Sequence, residues 1–579
     1  MPNLLAMSFE GDLTPSFDLR CLRPGAKIPD GWGLGYYPPG EPSASVLKEP
    51  AAMAQSQRTE LIKAWDHLES STFVVHIRTA TWGSLSNANT QPFSRIWGGR
   101  EWLFAHSGSL ASRPEVPQGA LFEPVGSTDS EVIFCELMNR IAEQKWNTLG
   151  DADPQVLHGW LNTINELGTL NVVLTDGRDL CVYVDRAKGG FDAWELLPPY
   201  DKVAFADEDL EVDLTRRGVK SRKGIIITTR ALEGTQGRAP EWKTLPGGQL
   251  LLIRQGTVRA EVSPAANGGE ERKVPALRPR GRSARPQRAQ PRRLAVLHRT
   301  VYAYKVPVER STHLLRLTPY HDRLQAVLEH EVKVNVDHES REYDDVFGNR
   351  VRRLRVDSPF TRMVIEARSL LELSDIDPLS HRPINARSQI PLVWMPWQRH
   401  MLNPYLLPSE SPESELVELT EYAMSFVKRN DYNLLDTLLD LNASLFTEYR
   451  YVQGATTLAT SPYEVYCNRQ GVCQDFTNLF ICLMRLLGVP ARYVCGYIYT
   501  GPKGKQHKQS EASHAWVQVY LPEVGWTGFD PTNGILTQTD HVRVSVGRVY
   551  GDATPTSGTI FVGGGSETLS VEVEVEVVD

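Results

Sequence analysis

Arg469-Gln-Gly-Val-Cys-Gln-Asp-Phe476 is the stretch on which the reading of this chain turns. Downstream of it, apolar residues fall at Phe476, Leu479, Phe480, Leu483, Met484, Leu486 and Leu487, and Gly488 and Pro490 follow. That spacing predicts a buried helix over Gln474 to Leu487 with a defined stop. Cys473 therefore sits at or just before a first helical turn. There, unpaired amides and the positive end of the macrodipole favour a thiolate over a thiol. A nucleophilic cysteine also needs a base within hydrogen-bond reach.

Two distant stretches supply candidates. Ser513 to Leu521 alternates as a strand does, with Ala515, Val517, Val519 and Leu521 on one face and His514, Trp516, Gln518 and Tyr520 on the other. His514 is thus expected opposite the apolar stripe, open to a cysteine. Gly525-Trp-Thr-Gly-Phe-Asp530 reads as the returning strand after a Pro-Glu-Val-Gly turn. An antiparallel neighbour can bring Asp530 beside His514, to hold the imidazole and fix its tautomer. Taken singly, such a cysteine or histidine is ordinarily structural. Together, Cys473, His514 and Asp530 compose a thiol-nucleophile triad.

Gly471-Val-Cys-Gln-Asp475, Gly488-Val-Pro-Ala-Arg-Tyr-Val494, Ser513-His-Ala-Trp516 and Gly525 to Gly534 resemble a bacterial transglutaminase-like protein of the papain-type superfamily. The resemblance continues through Val546-Gly-Arg548, Asp552 and Gly563-Gly-Gly565. Upstream, His298-Arg-Thr-Val-Tyr-Ala-Tyr304, Leu315-Arg-Leu-Thr-Pro319 and Asp345-Val-Phe-Gly-Asn349 resemble the β-rich region that precedes such cores. The resemblance implies Cys473 as nucleophile, His514 as base and Asp530 as its orienting partner.

The 579 residues exceed one hydrophobic core, and 41% hydrophobic with 23% charged residues is a soluble globular composition. A net charge of −8 argues against bulk nucleic-acid binding. Neither a run of about 18 apolar residues nor a basic-then-apolar leader is present, so neither membrane span nor signal peptide is expected. Seven scattered cysteines, with no CxxC pair, suit free thiols in a reducing cytoplasm and no zinc site. No cofactor or metal is expected.

In the first 263 residues, Phe73 to Arg78 and Glu101 to His106 read as buried strands, and Asp129 to Ile141 as a helix capped near Ser127/Thr128. Leu170 to Val184 reads as a hairpin turned at Asp176-Gly177. Leu4-Leu-Ala-Met-Ser8, Asp30-Gly-Trp-Gly33, His76-Ile-Arg-Thr-Ala-Thr-Trp-Gly83, Asn89-Thr-Gln-Pro-Phe93, Ala105-His-Ser-Gly108 and Gly126-Ser-Thr-Asp-Ser-Glu131 resemble class II glutamine amidotransferases. The fold this implies is the N-terminal-nucleophile type, layered αββα. That family uses a cysteine at position 2; here Pro2 stands there, and Cys21 is not terminal. Ser107 before Gly108 replaces the family's oxyanion asparagine, and Gln91 stands where histidine is common. The glutaminase reaction is therefore expected to be absent. Arg78 and Asp129 match the residues that grip the α-carboxylate and α-amine of glutamine. With Ser107 and Gly108 they form a tentative substrate pocket, or else internal ion-pair partners.

Between Arg272 and Arg293 lie eight arginines, one lysine and no acid, so residues 264–293 are expected to be an extended tether. Residues 294–385 read as a β-sandwich-like domain and 386–579 as a papain-like transglutaminase core, completing a multidomain α+β chain. Pro391 to Pro408 reads as irregular, Glu413 to Lys428 and Leu434 to Tyr449 as helices, and Leu569 to Val577 as a final amphipathic strand. The function expected is thiol-dependent acyl transfer on peptide or amide bonds, by a protease, amidase or transglutaminase, with a pseudoenzyme domain ahead of it. The alternative is a catalytically silent scaffold in a peptide-modifying system. Partners would be a peptide or protein substrate and, as family context, ATP-grasp ligases, with no nucleic acid or membrane.

Overall fold

The computed structural model describes residues 3–19, 29–53, 56–79, 84–114, 116–263, 291–374, 389–408, 410–501 and 513–578. The chain divides into two compact units, residues 1–275 and 276–579. Most of the predicted tether, residues 264–290, lies outside the described residues.

In the first unit, a seven-stranded antiparallel sheet is centred on Asn3–Leu13 and Ser70–Arg78. A six-stranded antiparallel sheet includes Arg100–Leu110, Gly168–Thr175 and Asp179–Tyr183. The predicted hairpin turns where expected, with Gly177 at φ +83°. Leu4, Ala6, Val74, Ile225 and Ile227 of one sheet meet Ala105, Val173, Val182, Leu251 and Ile253 of the other in one buried cluster. The sheets thus pack face to face, because both faces of their strands are apolar.

Helices Asp129–Glu143 and Pro154–Asn165 cover the other face of the six-stranded sheet. Thr128 caps the first of them, accepting the Glu131 amide at 3.3 Å. The far face of the seven-stranded sheet differs from the αββα expectation. It is covered by a four-stranded sheet that includes Ser16–Leu19, Val203–Ala206 and Leu210–Asp213, with the single short helix Gln57–Ala64. Phe17, Val203, Phe205, Leu210 and Val212 share one buried cluster with Leu5, Met7, Phe73, Val75 and Ile226 of the seven-stranded sheet.

The second unit begins with one strand of 24 residues, Arg292–Leu315. Its first half pairs with Phe360–Leu373 and its second half with Arg350–Val356. The described strands of the β-rich region join one hydrogen-bonded sheet around it. Tyr302, Val308, Leu315, Leu354, Phe360 and Met363 share one cluster, so the sheet closes over its own core. The C-terminal strands Thr556–Gly563 and Glu567–Val578 also pair with Arg292–Leu315. They were expected with the core; backbone pairing places them in the β-rich sheet.

The core carries helices Glu413–Arg429, Leu434–Glu448, Pro462–Asn468 and Cys473–Leu486. Part of the stretch expected to be irregular forms a short helix, Pro396–Leu402. A five-stranded antiparallel sheet runs in the order Ile535–Leu536, Gly525–Asp530, His514–Leu521, Ala491–Ile498, His541–Gly547. Helix Cys473–Leu486 lays Leu479, Phe480 and Leu483 against Ala515, Val517 and Val519. Each such side chain is worth about 1.5–3 kcal/mol when fully buried.

Two amides tie the β-rich sheet to the edge strand His541–Gly547. Asn349, from the Asp345 to Asn349 turn, accepts the Val546 amide and donates to its carbonyl, both at 2.8 Å. Gln325 does the same with Arg543, at 2.8 and 2.9 Å. The β-rich region therefore fixes a strand of the core.

Candidate active site

Cys473 is the first residue of its helix, with Val472 at the cap. Asp475 reaches back to accept the Val472 amide at 2.7 Å and also the Thr456 hydroxyl at 2.6 Å. That reverse bond holds the first turn, and with it the sulfur. Gly471 makes room for it, since a Cβ there would stand 2.8 Å from both Asp475 Cβ and Oδ2. Asp475 lies inside the quoted motif, yet its role was not read from sequence. A carboxylate three residues past the cap is the signal that could have shown it.

His514 opens its strand and is 3% exposed. Its Nε2 meets Asp530 Oδ2 at 2.8 Å, and the Cys473 sulfur is near enough to raise its proton affinity. The alternation of the strand is as predicted, but both faces are buried. The nucleophile helix packs on the Ala515/Val517/Val519 face, while Trp516 packs with Val494 and Val546 beside Tyr320 and Phe347 of the β-rich region. His514 thus stands at the strand's first position and not on an open face. Gly496, opposite it in the register, lets the Trp516 ring lie alongside; a Cβ there would be 2.7 Å from that ring.

Asp530 ends its strand fully buried. The register Val517↔Phe529 puts it one step further, on the His514 face. Its Oδ1 accepts the amides of Thr532 and Asn533 at 3.0 and 3.2 Å. Its Oδ2 accepts Asn533 Nδ2 at 2.7 Å and, besides His514, His541 Nε2 at 3.0 Å. Burial works against both charges. For His514 it is outweighed by the Asp530 carboxylate and the Cys473 sulfur, which push the ring up to about 10. For Asp530 it is outweighed by His514 and His541, which hold the carboxyl well below the usual carboxylate range. At neutral pH the pair is imidazolium and carboxylate.

His514, Asp530 and His541 place their donor atoms within 4.8 Å of one another, the spacing of a three-ligand metal set. The separations of 2.8 and 3.0 Å are hydrogen-bond lengths, and both ring nitrogens are used on the carboxylate. Cys473 and Cys467 are both half-buried. Cys135, Cys181, Cys482 and Cys495 are buried. Burial, with the nearby Cys473, pushes the Cys495 thiol up to about 12.

In the first unit, Ser107 and Gly108 lie on the strand Arg100–Leu110. Asp129 accepts the Leu110 amide at 3.0 Å and the Ser130 amide at 2.9 Å, fastening the helix start to that strand. Arg78 is buried and donates Nη2 to the Ser84 carbonyl at 3.4 Å. Gln91 clamps His106, accepting its amide at 2.6 Å and donating to its carbonyl at 3.1 Å. His76, absent from the expected pocket, is buried, and among the described residues neither ring nitrogen has a hydrogen-bond partner. Burial, then His106 and Arg78, push its ring down to about 3, so it is uncharged. Pro2 and Cys21 lie outside the described residues.

The sequence comparisons divide the chain along the same lines. Residues 1–275 match the class-II glutamine amidotransferases, 294–372 the bacterial transglutaminase-like N-terminal region, and 421–531 the transglutaminase-like superfamily. The chain carries a class-II glutamine amidotransferase-like region ahead of a transglutaminase-like core. An uncharacterised protein of Mycobacterium tuberculosis is 31% identical over 303 residues, 49% of this chain and 92% of that protein. One from Methanocaldococcus jannaschii is 32% identical over 231 residues, 39% of this chain and 62% of its own length. An Escherichia coli protein that bears a provisional glutamine amidotransferase name is 29% identical over 259 residues, 44% of this chain and 97% of that protein. Among solved structures, the periplasmic domain of TgpA from Pseudomonas aeruginosa is 16% identical, with a TM-score of 0.21, covering 43% of this chain and 89% of that domain. Among the described residues, no helix is long and apolar enough to cross a membrane.

Proposed function

We propose that the second unit is a thiol acyl-transfer enzyme acting on peptide or amide bonds, with Cys473, His514 and Asp530 as its catalytic residues. One observation carries the reading: His514 is bonded through Nε2 to the buried Asp530 carboxylate, and that carboxylate and the Cys473 sulfur together raise its proton affinity. The Cys473 thiolate attacks an amide carbonyl carbon, and the C–S bond forms. His514 gives its proton to the departing nitrogen as the C–N bond breaks, leaving a thioester and a neutral imidazole. The Cys473 amide, at the helix start, is a candidate donor to the oxyanion. Water, or a second amine, then loses a proton to His514 and displaces the sulfur, restoring the ion pair. Water gives hydrolysis; an amine gives transfer.

Labelling by iodoacetamide across pH tests this. Cys473 should react below pH 8 faster than the partly buried Cys467, and His514→Ala should remove the advantage. Equal reactivity of the two thiols would end the reading. The six described cysteines are all free, which supports a reducing, cytoplasmic setting.

For the first unit we infer a ligand-binding role without glutaminase chemistry. The amide of Gln91 is committed to His106, and no cysteine stands at position 2. Arg78, Asp129, Ser107 and Gly108 would receive an amino-acid head group. Glutamate should raise the unfolding temperature and Arg78→Ala should abolish the shift; ammonia release from glutamine by the Cys473→Ala protein would contradict the inference.

A further inference from the structure

Asp530 has more donors than a triad needs. Besides His514, its Oδ2 accepts His541 Nε2 at 3.0 Å and Asn533 Nδ2 at 2.7 Å. His541 belongs to no motif quoted above. It opens the edge strand His541–Gly547, is 3% exposed, and sits edge-on to Trp516 with ring centroids 5.2 Å apart. The same Trp516 lies beside His514, centroids 5.8 Å apart. Gln325 and Asn349 of the β-rich sheet clamp the strand that carries His541.

The two rings that share Asp530 have different surroundings. The Cys473 sulfur is among the groups that raise the proton affinity of His514. Among the described residues, His541 Nδ1 is buried with no hydrogen-bond partner. A proton on that nitrogen would be a buried, unsatisfied donor, so the ring's one proton belongs on Nε2, donated to the carboxylate.

We propose that His541 is a positioning residue for the Cys473 site, acting through Asp530. Its Nε2–H fixes Oδ2 in the line of His514 Nε2. It also makes the β-rich region part of the machinery, since that region holds the His541 strand in place. This rests on the thiol-enzyme reading of the second unit.

The test compares the full-length wild type with H541L and H541Q. Gln presents an N–H where His541 Nε2 stands, and Leu fills space without a donor. The readouts are the iodoacetamide rate at Cys473 from pH 5 to 10 and the unfolding temperature. H541L should slow labelling at pH 7 by about tenfold or more, the size of one hydrogen bond to a charged group, and move the pH midpoint. H541Q should recover most of the rate and the midpoint. A folded H541L with the wild-type profile, or an H541Q as slow as H541L, would overturn the proposal while Cys473 remained fast in the wild type. A slow wild-type Cys473 would instead overturn the enzyme reading, and this proposal with it. An independent check needs no variant. Imidazole ¹⁵N shifts in histidine-labelled protein should give His541 as the Nε2–H tautomer, and a proton on Nδ1 would refute the assignment.

Discussion

Asp530→Asn separates charge from shape at the site. Burial alone lowers the proton affinity of His514, and Asp530 is the first of the groups that reverse this. The ring moves from its ordinary 6.5 to about 10. At about 1.4 kcal/mol per pH unit, that is roughly 5 kcal/mol of preference for the charged ring, shared between Asp530 and Cys473. With a neutral amide in place of the carboxylate, burial regains control and the ring loses its proton at neutral pH. The sulfur then loses its counter-ion. Iodoacetamide labelling of Cys473 at pH 7 should fall by about 10² to 10³, a few kcal/mol of the total. The variant should also be less stable. Its NH₂ must face either the Thr532 and Asn533 amides at Oδ1 or the three side-chain donors at Oδ2, and donor against donor costs about 1–3 kcal/mol. Rates followed by intact mass from pH 5 to 10, alongside thermal unfolding, measure both effects. A D530N protein that labels at the wild-type rate with an unmoved pH midpoint would refute the coupling of Asp530 to the sulfur.

Stability should follow the same ring. The folded proton affinity of His514 lies above its unfolded value, so its contribution is complete below about pH 6.5 and is lost as pH rises towards 10. The unfolding temperature should fall across that window in the wild type and fall less in His514→Gln, as calorimetry at stepped pH would show. Asp475→Ala removes the bonds to Val472 N and Thr456 and should cost about 1–2 kcal/mol, measured by urea titration, while slowing Cys473 labelling. Arg429→Met removes the guanidinium that donates to the buried Asp440 carboxylate at 2.7 Å. It should destabilise the second unit by about 3–5 kcal/mol in the same titration.

The helix Cys473–Leu486 and the strand His514–Leu521 were legible because their periods are local. Apolar side chains at spacing 3.6 or 2 specify their own element wherever it packs. The order cysteine, histidine, aspartate was legible for the same reason, since each residue ends or begins a recognisable element. What sequence alone could not decide was pairing over distance. Glu567–Val578 and Arg292–Leu315 are both plain alternating strands, and only the assembled sheet makes them neighbours. The four-stranded layer that replaces helices in the first unit is likewise composed of strands too short to announce a partner. His541 is the sharpest case. It comes eleven residues after Asp530 and looks like any strand-opening histidine. It joins the carboxylate because the edge strand pairs with Ala491–Ile498 and is held by Gln325 and Asn349. Periodicity belongs to a segment and survives in sequence. The partner of a buried carboxylate is set by the packing of the whole unit, and only the tertiary structure decided it.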